Sequence, residues 1–211
     1  MAPGADALYI LGDLFESWVG DDGLVLPFPA RIAASLRVTA ARMPVFFMHG
    51  NRDFMVAQRF AAETGVRLLP DPTTIDLYGT PALLMHGDTL CTGDTRYQAF
   101  RAMVRDPRWQ AAALAKPIEE RLAIARSMRE QSEGAKQDKT MGIMDVAPEA
   151  VDAAFASSGC ALLIHGHTHR PARHVHRAGE RENVRWVLPD WYERGGYLEA
   201  SPAGLRAVDA F

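Results

Sequence analysis

Four short motifs constrain the fold of this chain, because each joins a glycine to a metal-liganding side chain at or near the end of an apolar run. They are Gly12-Asp13 after Tyr9-Ile10-Leu11, Gly50-Asn51 after Phe46-Phe47-Met48, His86-Gly87-Asp88 after Leu83-Leu84-Met85, and Gly166-His167-Thr168-His169 after Leu162-Leu163-Ile164. Apolar runs of this length read as buried strands, and ligands in α/β sheets gather beyond the carboxyl ends of the strands. Glycine at such corners permits a tight turn and a close backbone approach, so the neighbouring side chain can point into a crevice. Asp13, Asn51, His86, His167 and His169 together offer carboxylate, amide oxygen and neutral imidazole. That donor set suits a borderline divalent ion such as Mn or Fe, and its scatter along the chain implies strand tips converging on one cluster.

The rest of the pattern follows from periodicity. Residues 7–11 and 45–48 read as strands, and 30–41 and 54–63 as helices, the second closed at Gly65. This βαβα order predicts a parallel sheet in an α/β fold. Residues 68–69, 74–77 and 82–85 follow as short strands punctuated by Pro70, Pro72 and the Gly79-Thr80-Pro81 turn. From Asp94 to about Arg129 the strand signal stops. Tyr97, Phe100, Val104, Leu114, Ile118 and Leu122 recur at helical spacing, with Pro107 and Pro117 marking breaks. Two readings of residues 94–140 stand: apolar helix faces that only pack on the domain, or an inserted helical cap. The interruption of an α/β pattern directly after a candidate ligand favours the cap, since lids of this kind shape substrate pockets. Residues 161–164 restore a buried strand, and 173–177, 183–188, 196–199 and 205–208 alternate as an antiparallel half-sheet would.

With 211 residues, 48% of them hydrophobic, the chain is long enough to bury a sizeable core without staples. Cys91 and Cys160 lie far apart with neither a CxxC nor a framework spacing, and read as reduced thiols packed as small hydrophobes. A formal charge of −3 argues against general nucleic-acid binding. Between Arg96 and Lys139, however, ten Lys/Arg face six Asp/Glu, a local surplus of cations that suits an anionic substrate or membrane surface. No apolar run approaches the roughly 20 residues that a membrane span needs, and the start has neither a basic n-region nor an apolar h-region.

A carboxylate such as Asp13 can bridge two cations, and a two-metal centre activates water while neutralising phosphoryl oxygens. Phosphate ester hydrolysis demands both. His174 and His176, alternating on a segment that reads as a strand without glycine, read as ordinary strand residues.

In order and type, Gly-Asp, Gly-Asn-Arg-Asp, His-Gly-Asp and Gly-His-x-His resemble the motifs of the calcineurin-like metallophosphoesterases, and the likeness covers nearly the whole chain. Within that superfamily the chain is similar to the pyrophosphatases of lipid A biosynthesis. The resemblance rests on Gly12-Asp13-Leu14-Phe15-Glu16, Gly50-Asn51-Arg52-Asp53-Phe54, Met85-His86-Gly87-Asp88-Thr89-Leu90-Cys91-Thr92, Ile143-Met144-Asp145-Val146 and His165-Gly166-His167-Thr168-His169-Arg170-Pro171. It implies a sandwich of two mixed β-sheets flanked by helices with the cap at 94–140, and hydrolysis of UDP-2,3-diacylglucosamine to UMP and 2,3-diacylglucosamine 1-phosphate with Mn2+. It also implies peripheral contact with the cytoplasmic side of the bacterial inner membrane, and it implies no particular protein partner. By the same resemblance Asp13 bridges two metals, Asn51, His86 and His167 complete one shell, and His169 belongs to the other. Asp94, Ser132 and Lys139 match substrate-contacting positions, beside Asn51, Arg52 and His167, while Lys136 stands where the family has Asn. Where many superfamily members carry His after the Asn, this chain has Arg52. A phosphate leaving group with a second pKa near 6 departs without a proton, so a fork of donors on its oxygens suits a pyrophosphate substrate.

The family's opening Asp-x-His strand is absent, and only 12 residues precede Asp13, whereas a strand, crossover and strand need roughly 30. The expectation is therefore a single domain over 1–211 shortened at its N-terminus, with one well-liganded metal site, a second reduced to Asp13 and His169, and weak or no activity. Two other functions compete with the lipid pyrophosphatase: a phosphoesterase for a soluble nucleotide or phosphoester, and a non-catalytic interaction module of the same fold. An apolar, locally basic cap weighs against the former, and the intact Asn51, His86 and His167 against the latter.

Overall fold

The structure, a computed structural model, describes residues 4–137, 145–178, 181–192 and 195–209. The chain forms two compact units, Met1–Leu69 with Asp94–Ile143, and Pro70–Gly93 with Met144–Phe211.

In the first unit β1 (Leu8–Ile10), β2 (Val45–Met48) and β3 (Arg67–Leu69) make a parallel sheet in that order. The crossovers carry α1 (Pro27–Ala40), which opens with Pro in its first turn, and α2 (Gln58–Thr64). Phe60 has no solvent exposure and lies at the centre of the packing, its ring 5.9 Å from Phe15, 5.2 Å from Trp18 and 6.2 Å from Phe47. The helix expected over 54–63 is shorter than its periodicity suggested. Asp21 explains the late start: its carboxylate accepts from the N–H groups of Ala57 and Phe60 at 3.0 and 2.8 Å, satisfying donors that a helix start leaves open.

The segment expected as a cap is helical throughout its described part: α3 (Thr95–Val104), α4 (Pro107–Leu114) and α5 (Ile118–Gln137). Asp94 and Asp106 cap the first two, accepting from Tyr97 N at 3.0 Å and Arg108 N at 2.7 Å. Trp109 and Ala113 of α4 pack against the core that Phe60 centres. On α5 Arg121 is buried and reaches back to the loop before α1, where its guanidinium donates to Val19 O and pairs with the Asp22 carboxylate, one contact being 2.8 Å. Of the six expected apolar positions, Val104 is buried, Tyr97, Phe100, Ile118 and Leu122 are half-buried and Leu114 is exposed.

In the second unit β4 (Thr73–Leu77) and β5 (Thr80–Met85) form a hairpin closed by Tyr78 and Gly79. β6 (Leu162–His165) runs parallel to β5, β8 (Arg181–Val187) parallel to β6, and β7 (Ala172–Ala178) antiparallel to β8, giving the order β4-β5-β6-β8-β7. Among the described residues β9 (Gly196–Ser201) and β10 (Gly204–Asp209) pair only with each other. α6 (Pro148–Ser158) covers the large sheet through Val151 and Phe155, which meet Leu83, Met85, Leu163 and the buried free thiol of Cys160.

The expected mixed α/β architecture, with sheets flanked by helices, is what the chain adopts. Two details differ. The N-terminal sheet is parallel, as its βαβα order predicts and unlike the mixed sheet that the resemblance implies, because both of its connections are helical crossovers. The C-terminal half-sheet divides, β7 and β8 joining the large sheet while β9 and β10 stand apart.

Replacing Arg121 by Ala removes charge-assisted hydrogen bonds from a buried position and should lower stability by about 1.5–3 kcal/mol. Asp22→Asn, at a carboxylate half in water, should cost less than about 1 kcal/mol. Urea unfolding of the two variants checks the order.

Candidate metal centre

In the first unit the ligand-bearing loops after β1 and β2 are bound to each other by one carboxylate. Asp53 has no solvent exposure, and its two oxygens accept from Leu14 N at 2.7 Å, Phe15 N at 3.4 Å and Gly50 N at 2.8 Å. The loops approach so closely that a Cβ on Gly50 would lie 2.2 Å from Asp13 Oδ1 and 2.3 Å from Asp13 N, which no side chain could tolerate. Asp13 itself has φ 56°, a left-handed conformation that costs a non-glycine residue about 1 kcal/mol and turns its side chain out of the strand direction. Its Oδ1 accepts from Arg52 N at 3.0 Å, and Oδ2 lies 3.5 Å from Arg52 Nε. Asn51 is half-buried between these anchored neighbours.

Arg52 is held along its length. Its Nη1 donates to both oxygens of Glu16, at 3.0 and 2.9 Å, and Glu16 also receives Arg129 of α5 at 2.7 Å. From the end of α3, Arg105 Nη2 donates to Gly50 O at 3.0 Å while its guanidinium lies over the Phe54 ring at 6.0 Å. The helical segment thus supports the Asn51 loop through backbone and side chain alike.

In the second unit His86 follows β5 and His167 and His169 follow β6. Gly166 N donates to His86 O at 2.9 Å, tying the two strand tips, and the rings of His86 and His167 stand 5.1 Å apart. That separation lets both imidazoles reach one ion at metal–nitrogen bond lengths of about 2.0–2.1 Å. His167 and His169 both adopt left-handed φ, 65° and 54°. Strain of this kind on consecutive ligand candidates is characteristic of a functional turn.

Behind the turn lies His165, fully buried, and its tautomer follows from its partners. Arg185 can only donate, and its Nη1 is 3.0 Å from His165 Nε2, so Nε2 accepts and the proton sits on Nδ1, which donates to Gly166 O at 2.9 Å. Burial pushes the His165 pKa down to about 4, and Arg185 and His86 push the same way against the Gly166 carbonyl. Gly87 leaves the room that this ring needs: a Cβ there would lie 2.7 Å from His165 Nδ1.

The structure therefore brings Asp13, Asn51 and Arg52 together in the first unit and His86 and His167 together in the second, while His169, two residues further on, faces Asp190 and Tyr192. Of the expected substrate contacts, Asp94 is buried as the α3 cap and Ser132 is exposed on α5. Lys136 lies on α5 with its side chain outside the described residues, and Lys139 falls outside them altogether, as does the Ile143-Met144 half of the Ile143-Met144-Asp145-Val146 motif. Sequence inspection missed the supporting groups Asp53, Glu16, Arg105, His165 and Arg185. Asp53 stood within a quoted motif, but beyond Gly50 N its partners are amides 38 and 39 residues away, and nothing local signals that.

The profile described as calcineurin-like phosphoesterase matches residues 2–171. The chain belongs to the calcineurin-like phosphoesterases. A UDP-2,3-diacylglucosamine hydrolase of Xanthomonas campestris pv. campestris (strain B100) is 51% identical to this phosphoesterase over 210 residues, covering 96% of this chain and 85% of that protein. One of Stenotrophomonas maltophilia (strain K279a) is 50% identical over 213 residues, with the same coverage. Among solved structures, wild-type Vps29 of Entamoeba histolytica complexed with zinc aligns with a TM-score of 0.37 and 12% identity, over 96% of this chain and 98% of that one. A metallophosphoesterase fold binds divalent metal, and the carboxylate, amide and imidazole donors of this phosphoesterase fit such an ion by type.

Two outcomes test the supports. Asp53→Asn keeps the shape but loses an acceptor for buried N–H groups, and should destabilise the protein by at least about 1–3 kcal/mol, read by denaturant unfolding. For His165 the folded pKa lies below the unfolded value, so between about pH 6.5 and pH 4 the unfolded chain binds more protons. Its contribution, about 3 kcal/mol, is full above that window and lost as pH falls through it. Unfolding of the metal-free phosphoesterase at stepped pH should show that loss, and His165→Phe should flatten it.

Proposed function

We propose that this phosphoesterase hydrolyses the pyrophosphate bond of UDP-2,3-diacylglucosamine, yielding UMP and 2,3-diacylglucosamine 1-phosphate for lipid A biosynthesis. Relatives half identical to it over 96% of its length carry the name of that hydrolase. The observation that carries the reading from this chain's own residues is Arg52, which follows Asn51 and lies against Asp13 with its guanidinium fixed by Glu16.

Asp13, Asn51, His86 and His167 would hold one Mn2+, and Asp13 with His169 part of the shell of another. When bound, the ions lower the pKa of a water and neutralise phosphoryl oxygens. The remaining work falls to protein groups. Water adds to one phosphorus, the bond from that phosphorus to the bridging oxygen breaks, and a phosphate monoester leaves with the electron pair. Because that group needs no proton at neutral pH, the residue after Asn51 serves better as a cation than as an acid. Arg52 presents planar donors to the charge that grows on the leaving oxygens, and Glu16 and Asp13 keep the fork from swinging away.

The same proposal assigns residues 94–140 to the lipid portion and the membrane. Leu114 is exposed on α4, and the segment carries the surplus of cations expected beside a diphosphate or anionic headgroups. No helix of the described residues is long and apolar enough to cross a membrane. The proposal includes peripheral contact with the cytoplasmic face of the inner membrane through that cationic segment.

Release of UMP from UDP-2,3-diacylglucosamine in the presence of Mn2+ is the direct test. His86→Ala and Asp13→Ala should each cut kcat/KM by about three orders of magnitude or more, since several kcal/mol of charge stabilisation is lost at about tenfold per 1.36 kcal/mol. Arg52→Ala should cost about 10²–10³-fold, the scale of one transition-state donor. With only Asp13 and His169 assigned to the second ion, turnover is expected to be weak, and measurable UMP release that persists undiminished in His86→Ala would refute the assignment.

A further inference from the structure

His169 is steered by a segment that follows β8. Its Nδ1 lies 3.4 Å from Asp190 Oδ2, and the Tyr192 ring stands 5.8 Å from the imidazole. That segment is anchored at both ends, Leu188 N donating to His165 O at 2.8 Å and Trp191 Nε1 to Gly196 O at 2.8 Å. Asp190 is therefore fixed relative to the ligand turn by β6 on one side and β9 on the other.

A carboxylate only accepts, so a neutral imidazole facing it carries its proton on Nδ1 and keeps the lone pair on Nε2. Free neutral imidazole side chains favour the opposite arrangement, with the proton on Nε2, which would block that nitrogen as a ligand. Histidines that bind metals through one nitrogen commonly donate from the other to a carboxylate, which fixes the ring and raises its basicity. We infer that Asp190 is a positioning residue for metal capture: its contact with Nδ1 holds His169 in the tautomer whose Nε2 lone pair is left for an ion. The inference rests on His169 being a metal ligand of this phosphoesterase, and it adds a residue outside the four glycine-linked motifs.

Two measurements on the full chain decide it without recourse to turnover. In metal-free protein at neutral pH, 15N shifts of the His169 imidazole should report the Nδ1–H form, and Asp190→Ala should move them toward Nε2–H. Mn2+ titration, followed by the electron paramagnetic resonance of unbound ion, should show binding weakened about 10–100-fold in Asp190→Ala and partly restored in Asp190→Glu. In a His169→Ala background, Asp190→Ala should weaken binding no further, which a merely structural role would not predict. An Nε2–H tautomer in the wild-type protein would overturn the inference, even if the alanine variant failed to fold. Equal weakening in the presence and absence of His169 would overturn it as well. Neither measurement reads UMP, so failure of the hydrolase assignment would leave these outcomes standing.

Discussion

A single carboxylate with no access to water organises the first unit. Asp53 gathers backbone amides from the loops after two neighbouring strands, and a buried acceptor of this kind is far costlier to lose than it is rewarding to form. Its consequence is positional. Asp13, Asn51 and Arg52 each sit one or a few bonds from an amide that Asp53 or Asp13 fixes, so their side chains inherit the precision of a strand tip rather than the latitude of a loop. The absent Cβ at Gly50 lets the two loops close to that distance.

The second unit reaches the same end by different chemistry. There the organiser is a neutral imidazole, His165, clamped between a guanidinium and a carbonyl, with β5 and β6 tied at their tips by Gly166. A buried cation such as Arg185 is expensive to desolvate, and its pKa is pushed down by that burial. Its donors go to His165 and His176, so part of that expense is recovered as rigidity behind His86 and His167. Both units thus place their strained ligand residues over a fully buried polar group.

Much of this was legible in the residues themselves. The strands declared themselves because buried parallel strands are continuous apolar runs, and the ligand turns because glycine beside Asp, Asn or His has few other uses at the end of such a run. The helical character of the described residues after Asp94 followed from the spacing of Tyr97, Phe100 and Val104. What escaped is whatever depends on partners distant in sequence. Asp21 caps α2 from 36 and 39 residues away and shortens it, and Arg121 grips Val19 and Asp22 across about a hundred residues. Local periodicity carries no trace of such contacts, because a charged residue on a helix normally faces water. Asp190 is hidden for the same reason, lying in a loop with an unremarkable composition.

The connectivity of the two units has a consequence for synthesis. Three crossings, after Leu69, after Gly93 and after Ile143, make both units discontinuous in the chain. Domains generally fold as their residues emerge from the ribosome, N-terminal ones first. Here Trp109 and Arg121, which complete the first unit, emerge only after β4 and β5 have appeared, while β6, the parallel partner of β5, is still unmade. The nascent β5 must therefore wait with one edge open, its apolar Ala82, Leu83, Leu84 and Met85 exposed to any other strand, until nearly eighty further residues have been added.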